Sequence, residues 1–134
     1  MLELNEMNDD DKKEEKLIVF DDIINLPKKY LVKIQKWFNS LRKYGYTCIT
    51  LVQNYTDLPI QMRRNANYDM MFRLNDMNTI NQILKNHNNT GVDREKINEI
   101  YFDATKQPKN FFTIHLNDTE GQTFRHNFTD IYTV

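Results

Sequence analysis

A short apolar run ending in two acids, Leu17-Ile18-Val19-Phe20-Asp21-Asp22, constrains this chain more than any other feature. Four apolar residues without alternation are typical of a strand covered on both faces, and the run is too short to favour a helix. Strands of this kind belong to parallel sheets flanked by helices. We therefore expect a central parallel strand over 17–20, with Asp21 and Asp22 at its carboxyl end.

A helical pattern and then a second strand-like run follow. Pro27 suits the first turn of a helix, and apolar residues recur at three-four spacing up to Gly45, a natural stop. Residues 46–52 are rich in β-formers and end at the polar Gln53. The order strand, helix, strand almost always forms a right-handed parallel crossover. Two neighbouring strands are therefore predicted to end at one edge of the sheet.

The remaining pattern alternates helical and strand-like segments. The predicted elements are a short helix after Pro59, a strand over 68–74, a helix capped by Asp76 or Asn75, a helix over 93–105, and a hairpin of 111–116 with 122–128. The predicted fold class is α/β, a mainly parallel sheet with flanking helices and a C-terminal antiparallel hairpin.

Composition limits the function classes. The 134 residues amount to one domain or part of one, and a net charge of −1 gives no global basic field, so DNA contact requires a local patch or an assembly. Residues 1–15 are charged and predict a flexible lead-in to a folded part over 16–134. We expect a soluble, intracellular protein without a membrane span, since no stretch approaches the roughly 18 to 20 apolar residues required.

Cysteine and histidine suggest no metal chemistry. Cys48, the single cysteine, lies in an apolar run and is interpreted as a small buried hydrophobe. His87, His115 and His126 lack metal-ligand spacing and are interpreted as surface or edge-strand residues. A two-metal nuclease is disfavoured because Asp21-Asp22 lacks the further carboxylates that such a site requires.

The predicted sheet edge carries the candidate chemistry. Ligands bind beyond the carboxyl ends of parallel strands, where Asp21, Asp22 and Gln53 are expected. Phosphoryl transfer needs a divalent cation, a group that orients water, and positive charge, which Arg63 or Arg64 can supply. The alternatives are plain: acids after a strand also begin turns, and surface arginines are usually solvated.

Five segments in order carry a family resemblance: Leu17 to Ile23, Ile34 to Phe38, Arg42 to Tyr46, Thr50 to Tyr55 and Met62 to Tyr68. Together they resemble the second half of the FtsK/HerA-type genome-packaging ATPases, especially those of large DNA viruses of eukaryotes, virophages and Maverick-type elements. The likeness covers about residues 16 to 130. It implies the C-terminal half of a P-loop NTPase domain (RecA/FtsK-like), from the Walker B strand onward.

The resemblance also implies site roles and partners. Asp21 is the acid on the Mg²⁺ side, and Asp22 the acid that activates water, where most relatives have Glu. Gln53 matches the polar residue that senses the γ-phosphate, and Arg63 matches an arginine that reaches a neighbour's ATP, with Arg64 as a close competitor. The implied whole is a homo-oligomeric ring that feeds double-stranded DNA into a viral capsid, located in a virus factory or a virion.

One expected element is missing from the sequence. Nothing fits the phosphate-binding Walker A pattern Gly-x-x-x-x-Gly-Lys-[Ser/Thr], since the glycines are Gly45, Gly91 and Gly121. We expect the loop to be encoded upstream of Met1. A truncated gene, a split gene or a mispredicted start would each explain why this sequence lacks it. The isolated chain should then neither bind ATP tightly nor hydrolyse it, and its uncovered sheet should favour self-association. A non-catalytic remnant, or a module that binds DNA or capsid, is the alternative.

Overall fold

The computed structural model describes residues 15–87, 91–121 and 123–134. The predicted lead-in over 1–15 lies outside these residues except for Glu15. The chain forms two compact units, of which the first ends at Asn65 and the second begins at Ala66.

The first unit is built on one parallel pair of strands. Strands β1 and β2 pair from Lys16 beside Tyr46 to Asp21 beside Leu51. The elements in chain order are β1 (Lys16–Asp21), a 3-10 turn (Ile23–Asn25), α1 (Lys28–Leu41), a 3-10 turn (Arg42–Tyr44), β2 (Tyr46–Leu51), a 3-10 turn (Tyr55–Asp57) and α2 (Ile60–Asn65). The predicted strand, helix, strand order and the short helix after Pro59 are confirmed.

Local signals set the limits of the crossover helix. Pro27 stands immediately before α1, where its fixed φ suits the first turn and its missing N–H costs nothing. Gly45 adopts a left-handed φ of 76° after the last helical turn, and its N–H donates to the carbonyl of Arg42. Because this conformation favours glycine, the chain turns sharply there into β2.

The parallel pair is covered on one face only, which corrects the expectation of a strand buried on both. Burial alternates along each strand, and Leu17 and Val19 are 59% and 50% exposed. Val19 lies beside Ile49, which is 42% exposed on the same face. Residues 15–65 contain one long helix, α1, which can cover a single face and leaves the other open.

The second unit is an antiparallel sheet with two helices. Its elements are β3 (Tyr68–Met71), α3 (Met77–Asn86), α4 (Arg94–Ala104), β4 (Phe112–His115), β5 (Phe124–His126) and β6 (Asp130–Ile131). The strands pair in chain order, each antiparallel to the next. The α/β class, the parallel pair and the C-terminal antiparallel strands are confirmed. The antiparallel sheet is larger than the predicted hairpin because it also includes β3, shorter than expected, and β6.

The core of the second unit lies between the sheet and its helices. Its fully buried large side chains are Ile80, Leu84, Ile97, Tyr101, Phe112, Ile114 and Phe124. The Tyr101 hydroxyl accepts from the N–H of Leu74 at 2.8 Å and donates to the carbonyl of Phe72 at 3.1 Å. The Tyr101 hydroxyl thus pairs with one backbone N–H and one backbone carbonyl directly after β3.

Two sequence interpretations concern single side chains. His87, expected at the surface, is buried, and its Nε2 lies 2.9 Å from Oδ2 of Asp69. Since an unpaired imidazole is costly to bury, the carboxylate on β3 explains why His87 is tolerated inside. Cys48, expected to be buried, is half-buried, and this partial burial raises the pKa of its thiol. Among the described residues, no helix is long and apolar enough to cross a membrane.

Candidate active site at the carboxyl edge of the parallel pair

The two acids and Gln53 follow strand ends that lie side by side. Asp21, the last residue of β1, is in register with Leu51, the last residue of β2. The N–H of Asp22 donates to the carbonyl of Leu51 at 3.2 Å, which ties the acidic turn to the neighbouring strand. Gln53 comes two residues after Leu51. The structure therefore brings Asp21, Asp22 and Gln53 to one edge of the sheet.

Asp22 adopts an uncommon backbone conformation. Its φ is 47° and its ψ is 42°, in the left-handed region that only Gly, Asn and Asp visit routinely. The 3-10 turn that follows is anchored by Ile23, which is buried. Strained residues of this kind gather at functional sites, where they aim a side chain in a direction that a regular strand does not allow.

The acids are open to solvent, as a ligand site requires. Asp21, Asp22 and Gln53 are all exposed. Mg²⁺ takes oxygen ligands, keeps several waters, and is often held by one or two carboxylates together with substrate phosphates. Two adjacent carboxylates fit such a hydrated ion. The described residues contain no group of three or more His, Cys, Asp or Glu side chains that could hold a metal without a substrate.

Phosphate binding has no counterpart in the described chain. A phosphate cradle needs successive backbone N–H groups from a glycine-rich loop before a helix. Gly45 instead ends the helical segment between β1 and β2. Gly91 and Gly121 are single glycines of the second unit and belong to no glycine-rich loop. The residues present therefore fit the metal side of a nucleotide site and not the phosphate side.

The two candidate arginines differ in their surroundings. The Nε of Arg63 donates to the carbonyl of Leu58 at 3.2 Å, and its guanidinium lies 5.0 Å from the centre of the Tyr55 ring. The side chain of Arg64 is exposed and, within the described residues, makes no hydrogen bond or ion pair. Arg63 is thus held by its own unit, whereas Arg64 is available to another molecule.

Neither arginine forms an ion pair with the two acids in the part of the chain that the structure describes. The side chain of Asn65 donates to Oδ1 of Asn39 at 2.9 Å, so the carboxyl end of α2 lies near the end of α1. That end of α1 leads to Gly45, whose carbonyl accepts from the N–H of Lys16, the first residue of β1. Asp21 and Asp22 stand at the opposite end of the strands. The end of α2 thus lies toward the other end of the strands, whereas the guanidinium of Arg63 lies against Tyr55, two residues after Gln53.

Sequence reasoning missed the support around Arg63. Tyr55 and Leu58 fix its guanidinium, yet an aromatic residue before a proline-containing turn is an ambiguous signal by itself. The left-handed backbone at Asp22 was also missed, although an Asp directly after a strand is compatible with it.

The family model described as Zonular occludens toxin (Zot) matches residues 4–122. No curated protein and no solved structure matches the chain. The matched segment includes both acids, Gln53 and both arginines, and it covers most of the 134 residues. The chain therefore belongs to the Zonular occludens toxin (Zot) family, a P-loop NTPase-related family that is related to phage packaging ATPases.

Proposed function

We propose that this chain supplies the Walker B, γ-phosphate-sensing and arginine-bearing part of an ATP-driven motor that moves double-stranded DNA, as in the FtsK/HerA-type packaging ATPases. Hydrolysis then requires a segment that carries the Walker A loop. One observation carries the proposal: the register of Asp21 with Leu51, joined by the hydrogen bond from Asp22, gathers the acids and Gln53 at one edge.

The roles follow from position. Asp21 would hold the hydrated Mg²⁺ of Mg-ATP, which supplies charge neutralisation between the outer phosphates when bound. Asp22, aimed by its left-handed backbone, would accept a proton from the attacking water. Gln53, beyond the adjacent strand, would contact the γ-phosphate and report its loss to that strand.

We assign the arginine of the site to a neighbouring subunit. Within the described residues, neither Arg63 nor Arg64 forms an ion pair with the acids of its own chain, which is compatible with a role at a neighbour's nucleotide. We favour Arg64 as the residue that reaches a neighbour's nucleotide because it is exposed and unengaged, and we assign Arg63 to positioning α2. An arginine supplied in trans makes hydrolysis depend on assembly into a homo-oligomeric ring around DNA. A capsid would be the motor's docking partner.

The chain joined to a Walker A-bearing segment of a Zot-family protein tests the proposal. Phosphate release should be measured with and without double-stranded DNA, and binding with a fluorescent ATP analogue. We expect Asp22→Asn to lower hydrolysis about 100-fold or more with binding retained. Asp57→Asn, which changes another exposed acid of the same unit, is the control and should hydrolyse as the parent does. Equal hydrolysis in the Asp22 variant would refute the assignment.

The purified chain alone tests the missing loop. Titration with the same analogue and Mg²⁺ should give no submicromolar binding, because no ring of backbone N–H groups surrounds the phosphates. Tight binding would overturn the proposed need for a second segment. It would point to phosphate ligands elsewhere in this chain.

A further inference from the structure

The antiparallel sheet has an apolar face that is turned to solvent. Core residues Phe112, Ile114 and Phe124 mark its inner side, and the alternate residues of each strand point outward. Tyr68, Met70 and Phe72 on this outer side are 46%, 47% and 58% exposed. We name it the outer face, consisting of Tyr68, Met70, Phe72, Phe111, His115, Arg125, Phe128 and Ile131; Thr113, in the middle of the same side, is buried. A contiguous apolar patch of this kind usually marks a binding surface.

The rings of the outer face form two clusters. Tyr68 stacks on His115 with centroids 4.4 Å apart and planes inclined by 11°, and almost half of Tyr68 remains exposed. Phe111 lies 5.5 Å from Phe72 and 4.9 Å from Phe128, which is 59% exposed. Since strand residues rise about 3.4 Å each and the clusters are four residues apart, they lie about 14 Å apart along the strand.

A cation lies between the two ring clusters. Arg125 is in register with Thr113, which is itself in register with Met70, so this row crosses the sheet midway between the rings. Nη1 of Arg125 donates to the carbonyl of Phe128 at 3.2 Å, which holds the guanidinium at the face. Among the residues of the outer face none is acidic, and Asp69 points to the inner side beside Ile114. The face therefore combines exposed rings with the guanidinium of Arg125.

We propose that the outer face binds single-stranded nucleic acid, with bases stacked at the two ring clusters and a phosphate beside Arg125. Base stacking on aromatic rings tolerates any sequence, and an arginine in the same groove neutralises the backbone. The distance between the clusters leaves room for further nucleotides between two stacked bases. A duplex hides its bases in its own stack, so the rings favour single strands. The inference uses no residue of the proposed ATPase site and stands independently of it.

Fluorescence anisotropy of a labelled oligo-dT of about twelve nucleotides tests this with the full chain and no ATP. Tyr68→Ala and Phe72→Ala should each weaken binding about 5-fold or more. Arg125→Gln should weaken it and flatten the dependence on salt by about 0.7 in log-log slope, the value for one phosphate on a single strand. Tyr30→Ala, an exposed tyrosine of α1, is the aromatic control and should bind as the wild type does.

Four results would overturn the inference. The first is the absence of binding at low salt by a chain whose circular dichroism shows a folded protein. The second is equal affinity for the matching duplex. The third is wild-type binding by both ring variants. The fourth is a change in the sedimentation of the ring variants with no change in their binding, which would identify the face as a contact between protein chains.

Discussion

The guanidinium of Arg63 lies 5.0 Å from the centre of the Tyr55 ring while its Nε donates to the carbonyl of Leu58. The family resemblance favours Arg63 as the residue that reaches a neighbour, with Arg64 as its competitor. The contacts instead engage Arg63 within its own unit.

Arg63→Gln should therefore lower the free energy of unfolding by about 1 kcal/mol through loss of the cation–π contact and the hydrogen bond. Arg64→Gln, which removes an exposed side chain, should change it by less than about 0.5 kcal/mol. Urea unfolding followed by circular dichroism measures both. Equal effects would show that the contacts of Arg63 contribute nothing.

Asp22 provides a second test, because its φ of 47° is tolerated by only a few residue types. Asp22→Ala should cost about 1 kcal/mol of stability, since Cβ crowds the backbone in the left-handed region without a local hydrogen bond to compensate. Asp22→Asn should be close to neutral because Asn adopts this conformation readily. Asp21→Ala, at the exposed end of β1, is the matched control. A similar loss in the Ala and Asn variants would exclude backbone strain as the cause.

The hydroxyl of Tyr101 joins α4 to the segment after β3. Tyr101→Phe keeps the ring in the core and leaves the N–H of Leu74 and the carbonyl of Phe72 without this partner. We expect a loss of about 1 to 3 kcal/mol in urea unfolding. Tyr132→Phe, whose exposed hydroxyl contacts Asp103, is the control and should cost less. An unchanged midpoint for Tyr101→Phe would mean that water replaces the hydroxyl.

Local chemistry made much of this fold predictable. The helices begin or end at Pro27, Gly45 and Asp76, as the sequence indicates. The β-forming apolar residues of 46–52 correctly predict β2. The exposure of Val19 was not predictable, because an apolar run does not say which neighbouring element covers it.

The candidate site was predictable to the same extent. The position of Asp21 and Asp22 follows from strand order, since parallel neighbours end at one edge. The engagement of Arg63 by Tyr55 depends on the path of the turn after β2, which no periodicity encodes.

The cap of α3 gives a pH-dependent prediction. Hydrogen bonds from the Thr79 side chain and from the N–H groups of Thr79 and Asn78 lower the pKa of Asp76 from 3.8. A carboxyl with a lowered folded pKa contributes fully above its unfolded value, and the contribution is lost as pH falls through the folded pKa. Asp76→Asn keeps a capping oxygen and removes the charge, so the variant should have a lower melting temperature than the wild type at neutral pH. That difference should vanish well below pH 3.8. A difference that stays constant with pH would show that the charge is irrelevant.

The open face of the parallel pair predicts self-association of the isolated chain. Val19 and Ile49 lie beside each other on this face, both largely exposed, and a parallel sheet normally has both faces covered. The wild type should sediment as a broad, concentration-dependent species at micromolar concentration, because burying this face against another copy removes apolar surface from water. The double variant Val19→Thr, Ile49→Thr should shift it toward monomer, while Val32→Thr on α1, of similar exposure, should not. A sharp monomer boundary for the wild type would contradict the prediction. Equal shifts in the double variant and the control would show that general hydrophobicity, not this face, drives association.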